Sequence, residues 1–156
     1  FGIFSHFEIL LAATYQGVGE RAVEVAADHV AKRRSVKNQT TYSNDPDIRW
    51  RIAEAALIMN AVGPQIRELA RDIDEGVDRG RSWMPQLSAA KNAAAEATLR
   101  AVEQAMRACG GSAYYNTHEL SRLYRDALAG LFQPSDQESL HAAWANLILG
   151  PIEKAQ

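Results

Sequence analysis

The chain has 156 residues, a formal net charge of −2, and 47% hydrophobic against 23% charged residues. That length suits one domain with a core able to stand without cross-links, and so small a net charge leaves no footprint for nucleic acid or an anionic membrane surface. The one cysteine, Cys109, cannot close an internal disulfide, which fits a reducing compartment such as the cytoplasm, and no apolar run reaches the ~18 residues of a membrane span.

The opening Phe1-Gly2-Ile3-Phe4 has neither an initiator Met nor a basic leader, as expected of a piece of a longer protein. Segment one runs from about Ser5 to Arg34, with Phe4, Phe7, Leu11, Thr14, Val18, Val25 and Val30 at helical spacing. Gly17 and Gly19 interrupt it, each at a propensity cost of about 1 kcal/mol against Ala, and so suggest close packing on a neighbour or a ligand. The polar stretch Ser35–Asp47 reads as a loop that leads into a capped start, with Asn44 or Asp45 as cap and Pro46 in the first turn. From about Asp47 to Gly80, the residues Ile48, Ile52, Ala55, Met59, Val62, Ile66, Leu69 and Ile73 form a heptad-like seam. Pro64 within it removes one backbone bond and predicts a kink near Asn60.

Between about Pro85 and Cys109 comes an alanine-rich seam of Leu87, Ala90, Ala94, Ala97, Ala101, Ala105 and Ala108, suited to close helix approach. Gly110-Gly111 stops that helix as a C-terminal glycine cap. A fourth helix is expected over Thr117–Leu131, capped by Thr117 and opened by Glu119 or Leu120, and a fifth over Gln137–Leu149, capped by Ser135 or Asp136. No strand pattern or solenoid repeat is present. The expectation is an all-α, up-and-down four-helix bundle with a short extra C-terminal helix.

Chemistry is sparse in this pattern. The histidines are His6, His29, His118 and His141, and none stands at a ligand spacing from a carboxylate, so no metal site is expected from spacing. No phosphate loop, dinucleotide fingerprint or nucleophile elbow is present.

The last third is more specific. Cys109-Gly110-Gly111-Ser112-Ala113-Tyr114-Tyr115, followed by Leu120-Ser121-Arg122-Leu123-Tyr124-Arg125-Asp126-Ala127, resembles the late region of the acyl-CoA dehydrogenases. Lys91, Ala12–Gly17 and the pair Asp45-Pro46 with Arg51-Ile52-Ala53-Glu54-Ala55 extend the resemblance over nearly the whole chain. The last of these resembles a branch that includes flavin-dependent monooxygenases. The resemblance implies the C-terminal domain of a longer flavoenzyme whose N-terminal helical and middle β domains are absent here. It implies FAD as cofactor, a homo-oligomer (dimer or tetramer), an acyl-CoA-type substrate, and an electron-transfer or reductase partner. Gly110, Gly111 and Ser112 would offer backbone N–H groups near the cofactor, and Arg34 would meet a phosphate. Arg125-Asp126 is expected to be structural.

Many members of the family place a catalytic Glu where this chain has Gln133. An amide has no useful basicity, so Gln133 can position a group but not take its proton. Other members carry the Glu on the first helix, at a position that corresponds to Phe7; Glu8 beside it lies about 100° away around the helix. Three readings follow: a base from the absent domains, oxygen chemistry with Gln133 orienting, or a catalytically weak partner subunit. A non-catalytic helical interaction module is the competing class, and the ordered Gly-Gly and Arg-Asp motifs weigh against it. Dehydrogenation of an acyl thioester leads, with a two-component flavin monooxygenase as the alternative.

Overall fold

In the computed structural model, which describes residues 2–153, five α-helices follow in order: α1 (Gly2–Lys32), α2 (Pro46–Asp74), α3 (Trp83–Cys109), α4 (Glu119–Ala129) and α5 (Gln137–Leu149). There is no strand among the described residues, only a bridge between Arg34 and Thr41 that closes the 33–42 turn. Phe1 of the expected apolar start lies outside the described residues.

The ends follow from local chemistry. Asp45 caps α2 by accepting from the N–H groups of Asp47 and Ile48, with Pro46 at the first position. α3 closes on Gly110 at φ 71°, a left-handed conformation natural to glycine. The fourth helix opens at Glu119, as expected, but its cap is His118: the imidazole, not Thr117, accepts from the Leu120 N–H. Asp136 caps α5 through the Ser139 N–H. α2 runs unbroken through Pro64, and exposed Asn60, whose carbonyl loses its partner to the proline, stands at the solvent side.

Three clusters fill the bundle. Ile9, Ala12 and Tyr15 of α1 meet Ile66 and Leu69 of α2 and Leu87–Ala95 of α3 at one end. Ala55, Met59 and Val62 meet Ala97 and Ala101 in the middle. Ala22 and Ala26 meet Val102, Ala105, Cys109 and Leu120, Leu123 and Ala127 of α4 at the other end. α1 and α3 therefore run in the same direction, with α2 and α4 against them. α5 lies across α3, where Trp144 Nε1 donates to the Pro85 carbonyl and Gln137 to Glu96.

The seams expected for α2 and α3 are the buried ones, but α1 departs from its expected face. Of that face Phe7 and Thr14 are exposed, Leu11, Val18 and Val25 are half-buried against the core, and Val30 is buried; the rest of the core side is Ser5, Glu8, Ile9, Ala12, Tyr15, Gly19, Ala22 and Ala26. Small residues win this face because α3 lies so close: the buried Thr98 hydroxyl donates to the Tyr15 carbonyl at 2.6 Å. A Cβ on Gly19 would meet the Met59 side chain at 2.4 Å, whereas one on Gly17 would meet nothing. The turn between α2 and α3 is held by Arg79, which pairs with Asp72 and Glu68 and lies 5.7 Å from the Trp83 ring centre.

Candidate functional site

Two structured turns, at opposite ends of the bundle, carry the candidate residues. The first follows α4 and holds Gln133. Beneath it the fully buried Lys91 ammonium donates to three backbone carbonyls: Gly130 at 2.7 Å, Gln133 at 2.7 Å and Ser135 at 3.2 Å. Asn92 adds a second donor to Ser135 O at 2.8 Å. Glu8, also fully buried, accepts the Ser135 N–H at 2.9 Å, while its other oxygen and the Ser135 hydroxyl are buried without a hydrogen-bond partner. Gly130 sits where a Cβ would come within 2.7 Å of Ala95 Cβ and 3.0 Å of the Tyr15 ring, so α4 ends in close contact with α1 and α3.

Above this base the Tyr15 hydroxyl donates to the Gln133 carboxamide oxygen at 2.8 Å. The carboxamide is thus held by its oxygen, and its NH2 is left as the group Gln133 can present. Burial governs the titration of the groups below. Desolvation raises the Glu8 pKa above its ordinary value, partly opposed by the Ser135 N–H and the Lys91 charge. Desolvation likewise lowers that of Lys91, opposed by Glu8 and Asp136. Tyr15 is raised by burial and then by Asp126. A phenol, an amide and a lysine whose ammonium is taken up by three carbonyls hold position here.

The second turn follows α3. Gly110, Gly111 and Ser112 lie beside the end of α1, and Arg33, not Arg34, reaches them: its Nη1 donates to Ser112 Oγ at 2.9 Å. Arg34 turns away and donates to the Gln39 carbonyl at 2.8 Å. The Gly110 N–H closes α3 on the Met106 carbonyl. The turn is nonetheless open: a Cβ on Gly110 or Gly111 would meet no atom within 4 Å. The exposed Arg33 guanidinium and an open glycine backbone fit an anionic group. Beside the turn a cleft of about 430 Å³ is lined by Met106, Tyr114, Tyr115, Ser121, Tyr124 and Arg125.

Arg125 and Asp126 do not pair with each other. Arg125 donates to Ser121 Oγ at 3.1 Å, and Asp126 accepts from Arg122 at 3.0 Å. Sequence spacing missed two groupings. One is the Glu8–Lys91–Ser135 base, whose members are far apart in the chain; the signal was a Glu and a Lys at positions that otherwise take small or apolar residues. Glu8, set aside because of its angle around α1, already faces the Gln133 turn, and Phe7 is the residue that points out. The other is the approach of His29, Cys109 and His118 to within 4.8 Å of one another under the Gly-Gly turn.

A family model described as acyl-CoA dehydrogenase, C-terminal domain, matches residues 2–132. The chain is 29% identical over 124 residues to YdbM of Bacillus subtilis (strain 168), a protein whose name assigns it provisionally to the acyl-CoA dehydrogenases; the match covers 80% of this chain and 32% of that protein. The chain thus spans about a third of the length of this curated relative. The acyl-CoA dehydrogenase of Geobacillus kaustophilus superposes with a TM-score of 0.83 over 93% of this chain and 37% of its own, at 19% identity. XiaF from Streptomyces sp., in complex with FADH2 and glycerol, superposes with a TM-score of 0.81 over 97% of this chain and 40% of its own, at 14% identity. No helix among the described residues is long and apolar enough to cross a membrane.

Proposed function

Because this chain belongs to the acyl-CoA dehydrogenase family, as its C-terminal domain, we propose that the whole protein is an FAD-dependent oxidoreductase acting on the CH–CH group of an acyl-CoA-type donor. In this reading the chain is the flavin-contacting and oligomerisation part of a longer enzyme. N-terminal helical and middle β domains complete the pocket, and an electron-transfer or reductase partner turns the cofactor over.

The observation that carries the reading is the turn bearing Gln133. A loop without a task has no need of a buried ammonium on three carbonyls and a buried carboxyl on an N–H, since charges taken out of water are costly unless fully paired. This arrangement fixes the backbone at the position where the family places its reacting-side residue. Tyr15 then fixes the Gln133 side chain, so the group offered is an N–H donor. A donor there can hold a thioester carbonyl oxygen and favour the negative charge that develops on it as the α-proton leaves.

FAD, when bound, would supply the hydride acceptor for this reaction. Arg33, Gly111 and Ser112 are the residues of this chain that would meet its anionic part, with Gly110 shaping the turn. The proton falls to a base outside this chain: Gln133 has no basicity, and Glu8 is fully buried beneath the turn with one oxygen on the Ser135 N–H.

One observation favours a second reading. A neutral, anchored Gln133 suits a flavin monooxygenase, in which oxygen rather than a side-chain base drives the chemistry. The full-length protein, loaded with FAD under anaerobic conditions and mixed with a panel of acyl-CoA esters, separates the two. Bleaching of the flavin by one ester supports dehydrogenation. Flavin that stays oxidised with every ester, yet turns over with a reductase and oxygen, moves the assignment to the monooxygenase.

A further inference from the structure

Beneath the Gly110–Ser112 turn, three elements converge on one point. His29 comes from the last turns of α1, Cys109 is the last residue of α3, and His118 is the cap of α4. One ligating atom from each lies within 4.8 Å of the other two. The imidazole rings meet edge to face, with centres 5.3 Å apart. Cys109 is fully buried and both histidines are half-buried, so the cluster opens to solvent only on its histidine side. Ser112 Oγ lies 3.4 Å from His29 Nε2 and donates to the Cys109 carbonyl at 3.1 Å.

We propose that His29, Cys109 and His118 form a binding site for a thiophilic divalent metal of the zinc class. The donor set is the reason. One thiolate and two imidazoles are first-choice ligands for zinc, and around a tetrahedral ion with bonds of ~2.0–2.3 Å such atoms stand roughly 3.3–3.8 Å apart. The observed separations, all within 4.8 Å, lie about 1 Å beyond that at most. Three protein ligands leave the fourth position to water or to Ser112 Oγ. Hard, oxygen-seeking cations such as magnesium or calcium find no carboxylate here and are excluded.

Two neighbours tune the site. The Arg33 guanidinium, bound to Ser112 Oγ at 2.9 Å, opposes a cation, and the Cys109 proton released on binding offsets it with a thiolate. His118 Nδ1 accepts the Leu120 N–H, so ligation through the other ring nitrogen moves the proton to Nδ1 and exchanges the cap for a metal bond. Metal binding and the start of α4 are therefore linked.

The test uses the full-length protein, purified without metal-affinity resin and stripped with a chelator, then titrated with Co2+ and back-titrated with Zn2+. The expected result is one Co2+ per chain, with tetrahedral d–d absorption to the red of the flavin bands, displaced by Zn2+. Cys109→Ala and His29→Gln each lower the affinity at least ~10-fold. His118→Asn does the same while keeping a cap on α4, so its metal-free thermal midpoint stays at the parent value and separates ligation from folding. Absence of Co2+ binding by the parent overturns the proposal. Binding that is undiminished in His29→Gln and His118→Asn overturns it as well, since the ion is then held elsewhere.

Discussion

Lys91 is the residue on which the Gln133 turn depends most. Its ammonium satisfies three carbonyls and faces the Glu8 carboxyl. Replacing it with Met leaves the Gly130 and Gln133 carbonyls without this donor, while Ser135 O keeps Asn92; each buried acceptor left unsatisfied costs about 1–3 kcal/mol. Chemical denaturation of Lys91→Met is expected to show a loss of that size. Glu8 gives a prediction with a sign. Its folded pKa is raised above the ordinary 4.5 by burial, so the folded state holds this proton more tightly than the unfolded one. Its contribution is fully present below pH 4.5 and is lost as pH rises through the folded value. Glu8→Gln keeps an acceptor for the Ser135 N–H without the charge. It is expected to gain stability relative to the parent as pH rises from 4 to 8, and melting curves across that range check it; a constant difference would refute the raised pKa. That residue-level network was not legible in the sequence. Lys91 was visible only as a family-like lysine, and Glu8 was judged by its angle on an isolated helix, without the turn that folds over it from 127 residues away.

Among the elements, α2 and α3 were readable because their seams repeat cleanly, and α4 and α5 because Gly, Pro and Asp punctuate them. α1 was misread at its face. Its large side chains looked like core, but a helix packed this closely on α3 buries Ala and Gly and turns Phe7 and Leu10 outward. Two glycines test this packing by contrast. Gly130→Ala sets a methyl 2.7 Å from Ala95 Cβ and 3.0 Å from the Tyr15 ring. Neither neighbour can yield readily, and overpacking of this kind costs about 1–3 kcal/mol. Gly19→Ala meets the flexible end of Met59 and regains about 1 kcal/mol of helix propensity, so it is expected to be the milder of the two. Equal melting points for the two variants would contradict the close approach at Gly130. The loop turn after α3 was legible as a glycine stop, but not which arginine serves it. Arg33 and Arg34 are adjacent, and only the pairing of Tyr42 N–H with the Arg33 carbonyl, which folds the 33–42 turn, sends one to Ser112 and the other to Gln39.

As a whole, the molecule leaves Ile3, Leu10, Trp50, Leu57, Tyr114 and Phe132 mostly exposed, more apolar surface than a solitary bundle has use for. Self-association is the expected consequence, and light scattering of the full-length protein should give the mass of a dimer or tetramer; a monomer at high concentration would count against it. The most direct measurement of the proposed chemistry is stopped-flow flavin reduction by the responding acyl-CoA ester in the parent, in Gln133→Ala and in Gln133→Glu. If Gln133 positions the substrate and takes no proton, Gln133→Ala slows bleaching by less than the ~10²–10⁴-fold that a lost general base costs. Gln133→Glu then adds an ionisation to the pH profile that the parent lacks. A loss in Gln133→Ala as large as that of a missing base, or no reduction of the parent by any acyl-CoA, would contradict the assignment.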